Sequence, residues 1–216
     1  MAYPTHVAAA LSGASLRQLQ YWRQRHKGEP LLAPEARSGG RVLYSFRDLM
    51  ALRTFVYLRE QLPLQRIRKA VSNLGQLGDG EHLSAYRLYV SGSSIVWAES
   101  DDRLVDLVEM PGQYKLAAEM RDVVKPFTNL QGAEVVDLLR PRQRLEVDPG
   151  VRGGYPVVLD TRIPYDIIAG LVADGVPPAE VAYFYPPVDA GAAGDAFDFH
   201  RYVESLRGRD VSVSVA

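Results

Sequence analysis

The sequence predicts an α+β fold, mainly helical, in three parts: a helical head with a β wing over residues 1–75, a small central β-rich connecting or dimerisation module over 76–141, and a C-terminal helical domain with a tail over 142–216. Three observations predict it. Apolar residues recur at helical spacing in the first and last parts. The middle alternates instead, as in "AYRLYVSGSSIVWAES". Charge divides along the same line: residues 1–75 hold 12 Lys and Arg against 4 Asp and Glu, net +8, and the remainder holds 13 against 22, net -9. A basic end points to a polyanion partner, because phosphate contacts release counterions and dominate affinity for nucleic acid.

In the head, "PTHVAAALSG" reads as a short helix opening after Pro4 and closing at Gly13, a residue that accepts a left-handed cap. The next helix starts at once: Ser15 and Gln18 form a capping box, and Leu16, Leu19 and Trp22 share one face. Arg17, Gln18, Gln20, Tyr21 and Arg23 occupy the remaining surface. Two short helices across a tight turn meet the requirement of a helix-turn-helix, with the second helix available for a major groove. "PLLAPEARSGGRVLYS" then offers a short apolar stretch, a Gly39-Gly40 turn and the β-prone Val42-Leu43-Tyr44, a two-stranded wing with Arg37 and Arg41 flanking its turn. Ser45 with Asp48 caps a long helix carrying Leu49, Leu52, Phe55 and Val56 inward. Pro63 opens another, with Leu64, Ile67, Val71 and Leu74 inward, ending at Gly75.

Between 76 and 141, a hairpin is expected through Ser91-Gly92-Ser93, with "RLVDLVEM" as a third strand; "AEVVDLL" fits a strand or a short helix. Beyond it, Val157-Val158-Leu159 reads as extended, and Pro164 starts a helix carrying Ile167, Ile168, Leu171 and Val172 to a stop at Asp174-Gly175. Pro177-Pro178 starts a second helix through Val181 and Phe184, and Asp195 to Arg207 a third, with Phe199, Tyr202, Val203 and Leu206 at helical spacing. The tail alternates Val211, Val213 and Val215, a strand pattern.

Composition narrows the function. With no cysteine, disulfides, thiolate metal sites and a cysteine nucleophile are excluded. His6, His26, His82 and His200 have no ligand spacing, and no Gly-rich phosphate loop, nucleophile elbow or His-Glu-x-x-His helix occurs. The reading is a non-enzyme with no cofactor and no metal. No apolar run approaches the roughly 20 residues of a membrane span. The start lacks a signal-peptide pattern, so a cytoplasmic protein is expected.

The pattern Gly13, Ser15, Leu19-Gln20-Tyr21-Trp22, Arg37, Gly40, Arg41, Tyr44 and "SFRDLMALR" resembles the MerR-like family of winged helix-turn-helix DNA-binding domains over about residues 5–75. The resemblance implies double-stranded DNA as a partner, with Ser15 among the DNA-binding residues, Arg17, Gln18, Gln20 and Tyr21 at the groove and Arg23, Arg37, Arg41 and Tyr44 on the backbone. Gln20 stands where that family usually carries an Arg, and glutamine can read adenine.

A second resemblance rests on "GGYPVVLDTRIPYDIIAGLVADGVPPAEVAYFYP", with Gly154, Pro156, Val157, Thr161, Arg162, Ile163, Pro164, Gly175, Tyr185 and Pro186 matching. It is similar to a short bacterial domain-of-unknown-function family related to homeodomain-like three-helix folds; Asp160 replaces the usual glycine. A MerR-like head joined to such a domain resembles a VapB-type antitoxin subgroup. That implies a dimeric antitoxin of a type II toxin-antitoxin system, which neutralises a PIN-like ribonuclease toxin and autoregulates its operon. Arg162, Arg207 and Arg209 are the expected toxin or dimer contacts, the tail adding as a strand to the partner's sheet. The alternative is an effector-responsive MerR-like regulator, with Tyr86, Tyr89, Trp97 and Tyr114 lining a pocket.

Overall fold

A computed structural model of the chain describes residues 2–24, 30–34, 36–38, 40–77, 87–91, 93–100, 103–115 and 124–212. A short strand, Tyr3–Pro4 (β1), leads into Thr5–Ser12 (α1), and Leu16–Trp22 (α2) follows. Gly13 adopts φ +77 between the helices and returns its N–H to the Ala9 carbonyl at 2.9 Å, so the turn is tight enough for a helix-turn-helix. The wing is Ala36–Ser38 (β2) against Arg41–Tyr44 (β3), and β1 pairs with the other edge of β3, Tyr3 opposite Tyr44. The wing's first strand is thus not the apolar Leu31-Leu32 stretch. Those two side chains are buried in the core, where burial outweighs strand pairing.

Phe46–Arg59 (α3) and Leu64–Leu77 (α4) complete the head, with the Ser45 and Asp48 box formed as expected and α4 running two residues past Gly75. The central sheet is antiparallel in the order β4-β5-β6-β7: Arg87–Ser91, Ser94–Ser100, Arg103–Asp106 and Tyr114–Lys115. Phe127–Thr128 (β8) and Glu134–Val135 (β9) form a separate hairpin, which settles the "AEVVDLL" stretch as part strand rather than helix. Leu145–Glu146 (β10) pairs with Val157–Val158 (β11) at the entry to the C-terminal region.

There Tyr165–Ala173 (α5) and Ala190–Ser212 (α6) are joined by a 3-10 turn, Pro178–Tyr183. The middle of the three expected helices is therefore a 3-10 turn. Two prolines lacking N–H groups open it and Pro186-Pro187 follow, leaving too few residues for an α-helical ladder. The last helix begins five residues earlier than expected, because the Asp189 carboxylate accepts the Ala192 N–H at 2.6 Å. It also runs on into the tail, so the expected strand is corrected: Val211 is helical, and Val213 and Val215 lie outside the described residues. A helix pairs its own backbone, whereas an unpartnered strand leaves N–H groups open.

Buried side chains from Tyr3 to Val203 join into a main core spanning head, central sheet and C-terminal region, with α6 packed on both α1 and α5, while Val96, Ala98 and Leu104 form a small separate cluster. Polar ties cross the same seam: the Tyr3 hydroxyl donates to the Gly154 carbonyl at 2.5 Å, and the Tyr202 hydroxyl to that of Ala10 at 3.4 Å. Arg53, fully buried on α3, donates to the carbonyls of Leu11, Val124, Lys125 and Val136.

Candidate nucleic-acid interface

The capping box fixes where α2 begins. The Ser15 hydroxyl accepts the Gln18 N–H at 3.1 Å, and the Gln18 side-chain carbonyl accepts the Ser15 N–H at 2.8 Å. Leu19 and Trp22 then turn inward, Trp22 meeting Phe55 edge-on at 5.8 Å. With that face anchored, helical geometry leaves Arg17, Gln20 and Tyr21 together on the outward side at spacings of three and four, with Gln24 just past the helix end. All four are exposed, as is Ser15. Tyr21 keeps 40% of its surface in solvent, and the Arg68 guanidinium lies 5.5 Å above its ring. Gln18 is half-buried and spends its carbonyl on the cap, leaving its amide N–H groups as donors.

Arg23 is half-buried at the end of α2, and Arg41 is exposed on β3. Arg37 stands on β2 opposite Val42, its side chain outside the described residues. Tyr44 is a correction. It is 1% exposed, pairs with β1 and points into the core, so it has no surface to give a phosphate. Burial pushes its hydroxyl above the usual tyrosine range, with the Arg23 cation pulling the other way. The alternation of a wing strand puts one of Arg41 and Tyr44 out and the other in.

The row on α2 does not face open solvent alone. It forms one wall of a cleft of about 930 Å³; Arg59 and Leu64 also line it, together with the β8-β9 hairpin and Tyr202 and Leu206 of α6. The hairpin is clamped to the helix-turn-helix turn. Asn129 donates to the Gly13 carbonyl at 3.1 Å, and the Val135 side chain fills the space beside Gly13, where a Cβ would lie 2.3 Å from it. Sequence reading missed these cleft residues because over a hundred positions separate the hairpin from Gly13. The one available signal was the Asn129-to-Gly132 turn, whose Asn129 carboxamide oxygen accepts the Gln131 and Ala133 N–H groups.

At the other end, Arg162 is exposed, and its carbonyl accepts from the Arg152 guanidinium at 2.7 Å. Asp160 sits at φ +59, a conformation that suits glycine. Arg207 is on α6, not on a strand, and is engaged within the chain by Glu204 and by the His6 ring, each at 2.9 Å. Arg209 also lies on α6, its side chain outside the described residues. Of the aromatic set, Trp97 is half-buried against the core; Tyr86 and the side chains of Tyr89 and Tyr114 lie outside the described residues. Among the described residues no cluster of His, Asp and Glu could hold a metal ion, and no helix is long and apolar enough to cross a membrane.

Comparison with known families fits this geometry: residues 3–74 match the profile of the MerR HTH family regulatory proteins. The head is a MerR-family helix-turn-helix domain. Residues 145–199 match a second family, described as a protein of unknown function, DUF433, so the chain couples a MerR-family head to a DUF433 domain. Relatives include the uncharacterized HTH-type transcriptional regulators Rv1830 of Mycobacterium tuberculosis and Mb1861 of Mycobacterium bovis, each 32% identical over 103 residues. That match covers 47% of this chain and 45% of each relative, so the chain spans about half the length of the curated relatives it matches. The crystal structure of Rv2018 from Mycobacterium tuberculosis has a similar fold, at TM-score 0.53 and 16% identity over 90% of this chain and 96% of that one.

Proposed function

We propose that the chain is a dimeric DNA-binding transcription regulator and antitoxin. Its basic head (1–75) reads an operator in its own promoter. The module at 76–141 connects and supports dimerisation, and the acidic, homeodomain-like domain at 142–216 captures a PIN-like ribonuclease toxin in the cytoplasm. The observation that carries the DNA reading is the outward set of Arg17, Gln20 and Tyr21 on the second helix of a MerR-family head of net charge +8. Two heads related by a dyad would require half-sites about one helical turn, ~34 Å, apart.

Gel shifts on the promoter fragment test the head. Arg17→Ala is expected to weaken binding by roughly tenfold or more, the range of a lost base contact. Arg41→Ala is expected to weaken binding evenly across sequences and to reduce the slope of log K against log salt by about 1, as for one lost phosphate contact. Unchanged affinity in both variants rejects the interface. For the antitoxin, co-expression with the protein encoded by the adjacent reading frame should yield a complex and abolish any ribonuclease activity of that protein. Failure to associate rejects that half of the proposal. The second reading, an effector-responsive regulator, is favoured by one feature: a cleft of about 930 Å³ runs beside the candidate DNA-reading helix.

A further inference from the structure

The DUF433 domain displays aromatic side chains that its own core leaves unused. Val181 anchors the 3-10 turn in the interior, and the residues after it point outward: Tyr183 is 85% exposed and Phe184 61%. Burying such rings is among the larger gains available at an interface. The backbone beneath them is fixed. The Phe184 and Tyr185 N–H groups both donate to the Val181 carbonyl, at 3.0 and 2.9 Å, and that of Glu180 to Pro177 at 2.8 Å. Prolines on both sides stiffen the segment further, so little ordering is left to oppose binding.

The surround is acidic. Three residues complete a 3-10 turn, which puts Glu180 on the face of Tyr183. The packed α5 contributes the exposed Asp166 and, at its C-cap, Asp174, with the apolar Ile167 at its surface. Between 160 and 189 the chain has five exposed carboxylates and one exposed cation, Arg162. Of the five, Asp189 lies 3.5 Å from the Arg144 guanidinium and Asp166 accepts the Tyr155 hydroxyl at 3.0 Å.

Charge selects the occupant. A second copy docked isologously would bring like carboxylates face to face, which is repulsive. A second copy docked through its basic head, whether as a reciprocal dimer or a head-to-tail chain, would spend on self-association the cations that face DNA. A different protein with a cationic, apolar-lined surface meets neither objection, and proteins that handle nucleic acid carry such surfaces.

We propose that Tyr183 and Phe184, within their rim of carboxylates, form the docking surface for a basic, nucleic-acid-processing protein. This rests on the proposal that the C-terminal half captures a protein partner. The aromatic pair supplies the buried anchors, and Glu180 and Asp174 steer the encounter.

The test uses the full chain and, as probe, the purified protein encoded by the adjacent reading frame. Tyr183→Ser with Phe184→Ser should lower affinity by at least about tenfold, the scale of lost aromatic anchors, with the melting temperature and promoter binding unchanged. Glu180→Lys with Asp174→Lys should slow association and remove most of its salt dependence. Wild-type binding undiminished by the double serine variant overturns the docking surface while leaving the antitoxin proposal intact. No binding by the wild type overturns both. A wild-type oligomer in sedimentation that the double serine variant loses identifies the occupant as a second copy, and also overturns the inference.

Discussion

Arg53→Met is expected to lower the melting temperature by roughly 10 °C, from a loss of about 3–5 kcal/mol as several carbonyls lose their donor at about 1–3 kcal/mol each. Arg53 is 0% exposed on α3. One guanidinium nitrogen donates to the Leu11 carbonyl at 2.5 Å, in the last turn of α1, where helix geometry provides no intrahelical donor. The other donates to Val124 at 3.0 Å, Lys125 at 2.8 Å and Val136 at 2.7 Å, and the cation stands 5.1 Å over the Phe127 ring. The segments it joins have few ladder bonds of their own. Methionine fills similar volume and donates nothing, so buried carbonyls on three segments lose their donor together. Arg53→Lys keeps the charge but not the planar fork, and should recover only part of the loss. Amide exchange should quicken first in the Phe127–Val135 hairpin, since its hold on the helix-turn-helix turn depends on the same site. A melting temperature within a degree of wild type for Arg53→Met refutes this account.

Gly154→Ala should be nearly as damaging, at about 2–4 kcal/mol, combining strain in the left-handed region with overpacking. Gly154 has φ +83, and a Cβ there would lie 2.5 Å from the Tyr3 hydroxyl oxygen and 2.9 Å from a Phe46 ring carbon. The same Tyr3 hydroxyl donates to the Gly154 carbonyl, so the methyl group would push apart the bond that ties the DUF433 domain to the head. Gly175→Ala is the internal control. Gly175 also has positive φ, +97, but no atom lies within 4 Å of its Cβ position, so only the backbone strain should appear. Chemical denaturation of both variants separates the two contributions, and equal losses would refute the packing argument.

Much of the head was legible because its signals are local. A capping box acts over three residues, so Ser15 with Gln18 and Ser45 with Asp48 fixed two helix starts. Leu19, Trp22, Leu49, Leu52 and Phe55 were placed inward by spacing and are buried. The wing was found but shifted, since β-propensity could not tell Leu31-Leu32, drawn into the core, from Ala36–Ser38, which pairs. Tyr44, expected on the DNA backbone, is buried for a related reason: β1 pairs with β3 across some forty residues, and only that pairing shows which side of the wing is covered. At Val211 the strand pattern gives way to the local hydrogen bonding of α6.

By itself, the sequence determined the two helix starts capped at Ser15 and Ser45, the basic head, the acidic remainder and the residues that can face outward on α2, because capping, periodicity and charge are properties of neighbouring residues. Only the tertiary structure decided that Gly154 must be glycine for the sake of Tyr3 and Phe46, that Arg53 holds three segments together, and that a central hairpin forms part of the cleft beside the recognition helix. Each of these joins positions some forty to 150 residues apart, and such meetings are set by packing of the whole core, which no local pattern encodes.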